Sequence, residues 1–367
     1  MIGPKAVIHL DRLIENYDQI KKKLQVSHLM VVVKANAYGH GSVECAKALE
    51  EHGCESFAVF SITEGIELRD AGIKGDILIF SKLNHSFLDL AIKHNITLNI
   101  SNLDDLDIVK RFSKQHNTSP RFHVKFDTGM TRLGLNVDEA EKAFEILHES
   151  DELNYEGLYS HFATADEGDL SYAYEQVKKF KEILIKADSF GLNFKTIHFS
   201  NSGAVLNLNQ DDFNLVRVGM LVYGAYPSME VPKDISILPV MEFKAPIVEV
   251  RRVKKGTHIS YGGVYKTEKE CNIGVVQCGF ADGIPRPWYK NGFIGYKGKH
   301  YKIAGRICMD QFMVNFEDDH PREGDEVLIF GSNDLNSILM ETIAEEIEST
   351  PYVIATGIKG RTKLLFS

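Results

Sequence analysis

From residue 29 to about 220 the chain alternates two textures. Short β-branched or aromatic runs end at a polar or glycine-bearing residue. They are Leu29–Val33, Phe57–Phe60, Asp76–Phe80, Ile96–Ile100, Arg121–Phe126, Tyr155–Tyr159, Thr196–Phe199 and Asn214–Val218. Between them lie stretches with helical apolar spacing, such as Val43–Glu51, Asp104–Ser113, Asp138–His148 and Tyr172–Phe190. In the last, Val177, Phe180, Ile183, Leu184 and Ala187 fall on one helix face. Strands alternating with helices predict a parallel sheet, and eight of them are the number that closes a (β/α)₈ barrel. An open doubly wound sheet is the alternative. It usually has fewer strands, and no GxGxxG turn follows the first one. Ahead of the barrel, the segment 6–25 reads as a strand (Ala6–Leu10), a cap at Asp11, and a helix carrying Ile14, Tyr17, Ile20 and Leu24.

The pattern changes after Tyr223. Pro227, Pro232 and Pro239 punctuate a loop-like stretch. The runs then become shorter, with recurrent glycines: Ile247–Val253, Asn272–Gln277, Phe293–Tyr296, His300–Ala304, Phe312–Phe316 and Glu326–Phe330. This predicts a second, mainly β domain with one helix at Ile338–Ile347. The expected division is a barrel over residues 1–234 and a β domain over 235–367.

Composition narrows the function classes. The net charge of −9 argues against a nucleic-acid binder, which would carry a basic face. No apolar run approaches the roughly 20 residues that span a bilayer, and no secretory signal is evident at the start. The cysteines (Cys45, Cys54, Cys271, Cys278 and Cys308) are odd in number, dispersed, and in no CxxC pair. A disulfide framework or zinc site is not expected, no metal is assigned, and a reducing, cytoplasmic setting fits.

In (β/α)₈ enzymes the chemistry sits at the C-terminal strand ends. Lys34 stands at the first such exit, after Val31-Val32-Val33. Burial there would favour the neutral amine, a nucleophile that forms Schiff bases with carbonyls such as that of pyridoxal phosphate. The ordinary alternative is a lysine that caps a strand and points to solvent. Lys125 and Asp127 close strand five, with Arg132 in the loop after them. Ser160 and His161 follow strand six, Ser200-Asn201-Ser202-Gly203 strand seven, and Arg217-Val218-Gly219 ends strand eight. Taken singly, each Ser or Asn is more often a turn residue. Together, small and glycine residues after strands seven and eight make the usual phosphate cradle of this fold. Barrels that bind phosphorylated sugars use the same cradle.

At these positions the chain resembles bacterial alanine racemase, a fold-type III pyridoxal-phosphate enzyme. The likeness covers essentially the whole chain. It rests on Val32-Val33-Lys34-Ala35-Asn36-Ala37-Tyr38-Gly39-His40-Gly41, Lys125–Gly134, His161–Asp166, Ser200-Asn201-Ser202, Ile259–Tyr265, Gly279–Gly283 and Gly305-Arg306-Ile307-Cys308-Met309-Asp310. The resemblance implies that Lys34 holds the cofactor and is the base on one face. It implies that Tyr261, from the partner subunit of a homodimer with shared sites, is the base on the other. Arg217 would bond the pyridine nitrogen, and Tyr38, Ser202, Gly219 and Met220 would hold the phosphate. Arg132 and Met309 would contact the substrate, alanine, and His161 would orient the group around Tyr261 and Arg217. Lys125, Cys308 and Asp310 would support the site. The matching lysine of relatives, Lys125 here, can be carbamylated. The implied role is D-alanine supply for peptidoglycan.

Two residues depart from the family pattern. Phe280 stands where a tyrosine usually lines the substrate entrance, which leaves substrate range open to serine. Thr356 stands where a phosphate-binding tyrosine is expected. Threonine is shorter but still able to donate.

Racemisation needs two proton-transfer groups on opposite sides of Cα, each typically contributing about 10²–10⁴-fold. Arginine can only donate, so a ring nitrogen bonded to Arg217 stays unprotonated and the ring is a modest electron sink. Two other readings remain: an amino-acid decarboxylase on the same scaffold, and a barrel-only cofactor-binding protein. The motifs around Tyr261 and Gly305–Asp310 disfavour the first, and the β domain disfavours the second.

Overall fold

The structure, a computed structural model, describes residues 3–24, 28–208 and 213–367. After a first strand, β1 (Lys5–Ile8), all eight expected barrel runs form strands. These are β2 (His28–Val32), β3 (Ser56–Val59), β4 (Asp76–Ile79), β5 (Leu98–Ile100), β6 (Arg121–Lys125), β7 (Asn154–Tyr159), β8 (Thr196–His198) and β9 (Leu215–Val218). They pair in parallel in the order β4-β3-β2-β9-β8-β7-β6-β5. The two edges meet through a parallel bridge between Leu78 and Thr97. There the Thr97 N–H donates to the Ile77 carbonyl at 2.8 Å and the Ile79 N–H to the Thr97 carbonyl at 3.0 Å. The sheet is therefore a closed eight-stranded barrel. Its strands are continuous apolar runs because helices cover the outer face: Val31, Phe57, Val59 and Val124 are all fully buried.

The start of the chain departs from expectation in two ways. The first helix spans Leu10–Leu24 and places Asp11 in its first turn, not at its cap. A carboxylate there still complements the helix dipole. Gln25, at the end of the segment read as 6–25, lies outside the described residues. Strand β1 leaves the barrel half of the chain altogether. It lies between β10 (Met241–Val253), antiparallel, and the strand Lys363–Phe366, parallel. Both edges of β2 are already taken by β3 and β9, so the barrel has no place for it.

The second half is built on the 13-residue β10. Register shifts at Phe243/Lys244 and between Ile247 and Glu249 bend it. One part then pairs with Glu326–Ser332 and the other with Cys271–Val276. All six expected β runs are strands, and the expected helix is Met340–Glu346. The sequence reading missed a second helix, Pro351–Gly357. Pro351 opens it, where the absent N–H costs nothing. One apolar cluster joins both halves, from Phe57 and Phe122 to Phe243 and Ile354.

Candidate active site

Strand β2 delivers Lys34 to the C-terminal mouth of the barrel, and the next four residues turn left-handed. Ala35, Asn36, Ala37 and Tyr38 adopt φ of 51°, 54°, 52° and 51°. A left-handed residue with a side chain costs roughly 1–2 kcal/mol, so this turn must be held. Glu64 ties its start to the exit of β3. Its carboxylate accepts the N–H of Ala35 at 2.8 Å, of Phe60 at 2.8 Å and of Ser61 at 3.0 Å. The Asn36 side-chain oxygen accepts the Ser42 N–H at 2.9 Å, and the buried His40 Nδ1–H donates to the carbonyls of Ala37 and Tyr38. Gly39 lets the turn press against the helix Pro351–Gly357, where a Cβ would lie 2.5 Å from the Ala355 carbonyl oxygen.

The Lys34 side chain enters a cavity of about 580 Å³. Among the described residues, five basic side chains line it (Lys34, Lys82, Lys125, Arg132 and Arg217), and no carboxylate does. Burial, and then the Arg132 charge, hold the Lys34 ammonium below its ordinary pKa. Burial with Arg217 and Arg132 brings Lys125 down to about 7. Asp127 shapes the neighbouring loop. Its carboxylate accepts the N–H groups of Gly129, Thr131 and Arg132 at 2.8, 3.0 and 3.1 Å, which fixes the backbone that carries Arg132.

Arg217 on β9 is 3% exposed and, among the described residues, has no acidic partner. Its guanidinium donates to the carbonyls of Ser160 at 2.8 Å and Phe199 at 3.1 Å, and to Nδ1 of His198 at 2.7 Å and of His161 at 3.0 Å. Burial brings its pKa down to about 10. Both histidines lie well below their ordinary pKa through burial and the Arg217 charge. Neutral rings can offer Nδ1 as an acceptor.

At the other end of the cavity, Gly219 brings its backbone against Tyr38, where a Cβ would sit 2.7 Å from the phenol oxygen. The Gly219 N–H donates to the Ser202 hydroxyl at 3.0 Å. Met220 follows, fully buried, but does not line the cavity. Thr356 does not reach this site. It is exposed, and its hydroxyl donates to the Tyr352 carbonyl at 2.6 Å. One helical turn earlier, Tyr352 lines the cavity beside Tyr38. The assignment of Thr356 as a cofactor contact is therefore corrected: Tyr352 reaches the cavity, while Thr356, one turn further along the helix, turns its hydroxyl back to the Tyr352 carbonyl.

The remaining expected residues form a separate cluster on the second half of the chain. Tyr261 is 68% exposed, Met309 55% and Phe280 38%, and none lines the cavity. The Ser260 hydroxyl donates to the Arg306 carbonyl at 2.7 Å and lies 3.8 Å from the Cys308 sulfur. The N–H groups of Phe280 and Ala281 donate to the carbonyls of Cys308 and Met309. Arg361 grips the loops from behind, bidentate on Asp282 at 3.0 Å and bonded to Asp310 at 2.8 Å. The chain thus carries two half-sites, one around Lys34 and one around Tyr261.

Several site residues escaped the sequence reading. Glu64 was findable, because Ser61-x-x-Glu64 is a capping-box pattern directly after β3. Tyr159, His198 and Tyr352 carry no comparable signal. Among the described residues no cluster of three His, Cys, Asp or Glu could hold a metal ion, and no helix is long and apolar enough to cross a membrane.

Comparison with known proteins agrees with this geometry. The family described as "Alanine racemase, N-terminal domain" matches residues 8–227, and "Alanine racemase, C-terminal domain" matches residues 240–366. The chain is 36% identical to "Alanine racemase 2" of Caldanaerobacter subterraneus subsp. tengcongensis, covering 100% of this chain and 95% of that protein. It is 37% identical to "Alanine racemase 1" of Bacillus subtilis, covering 98% and 92%. The solved alanine racemase of Clostridium difficile 630 superposes with a TM-score of 0.92 at 35% identity, covering 100% of this chain and 96% of that one. On fold, site and full-length likeness together, this chain belongs to the alanine racemase family.

Proposed function

We propose that this protein interconverts L-alanine and D-alanine with pyridoxal phosphate as cofactor. One observation carries the reading: a half-buried lysine with a lowered pKa in a cavity lined by four further basic side chains and, among the described residues, no carboxylate. Such a cavity suits a ligand with both a phosphate and a carboxylate, and its volume lies in the usual range for small-molecule sites, roughly 300–1,000 Å³. Tyr38, Ser202, Gly219 and Tyr352 would hold the phosphate, and Arg217 would donate to the ring nitrogen. When bound, the cofactor supplies a conjugated ring that delocalises the electron pair left at Cα.

The protein's own part is to bind, orient and move protons. Arg132 would take the substrate carboxylate, with Met309 as a second contact. Lys34 is the base on one face, since its lowered pKa makes the neutral amine accessible. Tyr261 is the base on the other. Its exposure supports a homodimer in which a partner subunit's second half covers the Lys34 cavity. His161 orients Arg217 through the 3.0 Å contact. Lys125, Cys308 and Asp310 support the two half-sites. The barrel half, residues 1–234, would bind the cofactor and the β half, residues 235–367, would cover it, with residues 5–8 paired in the second sheet. D-alanine made in the cytoplasm would feed peptidoglycan, and five unpaired cysteines suit that compartment. A serine substrate is the second reading, because Phe280 removes a hydroxyl from the entrance.

Purified protein with added pyridoxal phosphate and L-alanine should lose optical rotation until both enantiomers are equal. Release of pyruvate or carbon dioxide without racemate would overturn the reading. Faster conversion of L-serine than of L-alanine would favour the second.

A further inference from the structure

Behind Arg217, a line of hydrogen bonds crosses the barrel interior. Arg217 Nη1 lies 2.7 Å from His198 Nδ1. His198 Nε2 lies 2.9 Å from His123 Nδ1. His123 Nε2 lies 3.4 Å from the Thr196 hydroxyl, which reaches the Glu156 carbonyl at 3.4 Å. Both imidazoles are buried, and Tyr159 stacks on His198 at 4.6 Å and 8°.

The direction of this line is forced. Arginine has no acceptor, so His198 must present a bare Nδ1 and carry its proton on Nε2. That proton needs an acceptor, so His123 must present a bare Nδ1 and carry its own proton on Nε2. The Thr196 oxygen accepts it, and the threonine proton goes to the backbone carbonyl. Of the four combinations of two tautomers on two rings, one alone satisfies every contact. Neither ring can charge without losing its acceptor. Burial and nearby cations hold His123 down at about 3 and His198 well below its ordinary value.

The barrel makes room for this line. His123 on β6 faces Gly157 on β7, which faces Thr196 on β8. A Cβ at position 157 would lie 2.6 Å from the His123 ring and 2.6 Å from the Thr196 hydroxyl. The line passes through the space of that missing side chain.

We propose that His123 is a positioning residue that acts through His198. The two rings lock His198 as an acceptor and so hold the Arg217 guanidinium in place as a donor to the cofactor ring. The last link rests on the cofactor reading above. The tautomer lock itself does not.

The test has two arms. In apoprotein labelled with 15N-histidine, nitrogen NMR should find both rings neutral and protonated on Nε2 from about pH 6 to about pH 8, across the ordinary histidine pKa. An Nδ1–H tautomer or an imidazolium on either ring overturns the proposal. In the holoenzyme, His123→Phe should lower kcat by about tenfold, the scale of losing an outer-shell partner. The KM for alanine should stay within about twofold, and His198 should lose its single tautomer. His123→Asn, which keeps an acceptor near the Nδ1 position, should restore most of kcat. Wild-type kcat in His123→Phe overturns the proposal. So does a loss of kcat with the His198 tautomer unchanged, which marks a packing effect. If His123→Phe does not fold, Thr196→Val removes the terminal acceptor at nearly constant volume. Unchanged tautomers there overturn the lock. A wild-type protein that takes up no cofactor would sink the cofactor reading and leave the NMR result standing.

Discussion

Tyr352 and Tyr38 face each other across one end of the Lys34 cavity, ring centres 5.7 Å apart and tilted by 58°. Tyr38 comes from the left-handed turn after β2 and Tyr352 from the helix Pro351–Gly357. Burial pushes both phenols up, so both remain donors at any working pH. Tyr352→Phe should weaken retention of pyridoxal phosphate by about tenfold, the value of one hydrogen bond to a charged group. Thr356→Val should leave retention unchanged. Equilibrium dialysis of the two variants decides it, and the opposite ranking would restore position 356 as the contact.

The two half-sites predict complementation. Lys34→Ala and Tyr261→Phe should each abolish or cripple racemisation alone. When the two are unfolded together and reassembled, half of the dimers are mixed and each mixed dimer has one intact site. Activity should then recover to about a quarter of wild type, as a two-fold symmetric interface requires. No recovery would mean that Lys34 and Tyr261 of one chain serve the same site.

The Glu64 carboxylate ties the start of the left-handed turn at Ala35 to the backbone after β3 at Phe60 and Ser61. Glu64→Gln turns an amide N–H₂ toward backbone N–H donors. The expected loss is about 1 kcal/mol, the scale of one net hydrogen bond at a partly exposed group. Thermal unfolding should register it. Cofactor retention should fall as well, because the residues released are those that aim Lys34 and Tyr38.

Lys125 makes stability depend on pH. Its folded pKa of about 7 lies below that of a free lysine. Between those two values the unfolded chain binds more protons than the folded one, so stability rises with pH across that window. The burial cost is fully present below about pH 7 and fades toward pH 10. The apoprotein's melting temperature should climb from neutral to alkaline pH, and Lys125→Met should flatten the climb. The same neutral amine can add carbon dioxide and release a proton, giving a carbamate that would pair with Arg132. Carbon NMR after 13C-bicarbonate should show that signal, absent in Lys125→Met. A bare amine would remove this role.

How much of this was legible in the sequence depends on which force sets each feature. The eight barrel strands are legible because a sheet covered on both faces needs uninterrupted apolar runs, and polar residues mark their exits. Lys34, Arg132, His161, Ser202 and Arg217 follow from those exits, and the cavity brings them together. Strand β1 is not legible in the same way. Four residues with alternate burial look alike in any sheet, and only the occupied edges of β2 exclude them from the barrel. The left-handed turn at Ala35–Tyr38 has no glycine to announce it, because Glu64, 26 residues beyond Tyr38, stabilises it. Tyr352 was missed in favour of Thr356 because residues four apart share one helix face, and only the seating of the helix on the barrel mouth decides which of the two reaches the cavity. His123 and His198 read as polar interruptions of strands until Arg217 supplies the reason for them.

Strand β1 also bears on how the molecule is put together. Residues 5–8 lie between β10 and residues 363–366, and the Ser367 N–H donates to the Ile8 carbonyl at 3.0 Å. On the ribosome the barrel strands are all available once residue 218 has emerged. The second sheet must wait for residues 363–366, while its earliest partner, made hundreds of residues before, stays unpaired. Residues 5–8 therefore cannot complete their place in the second sheet until residues 363–366 have been made. Until then this strand keeps an unpaired edge, the natural handle for a chaperone.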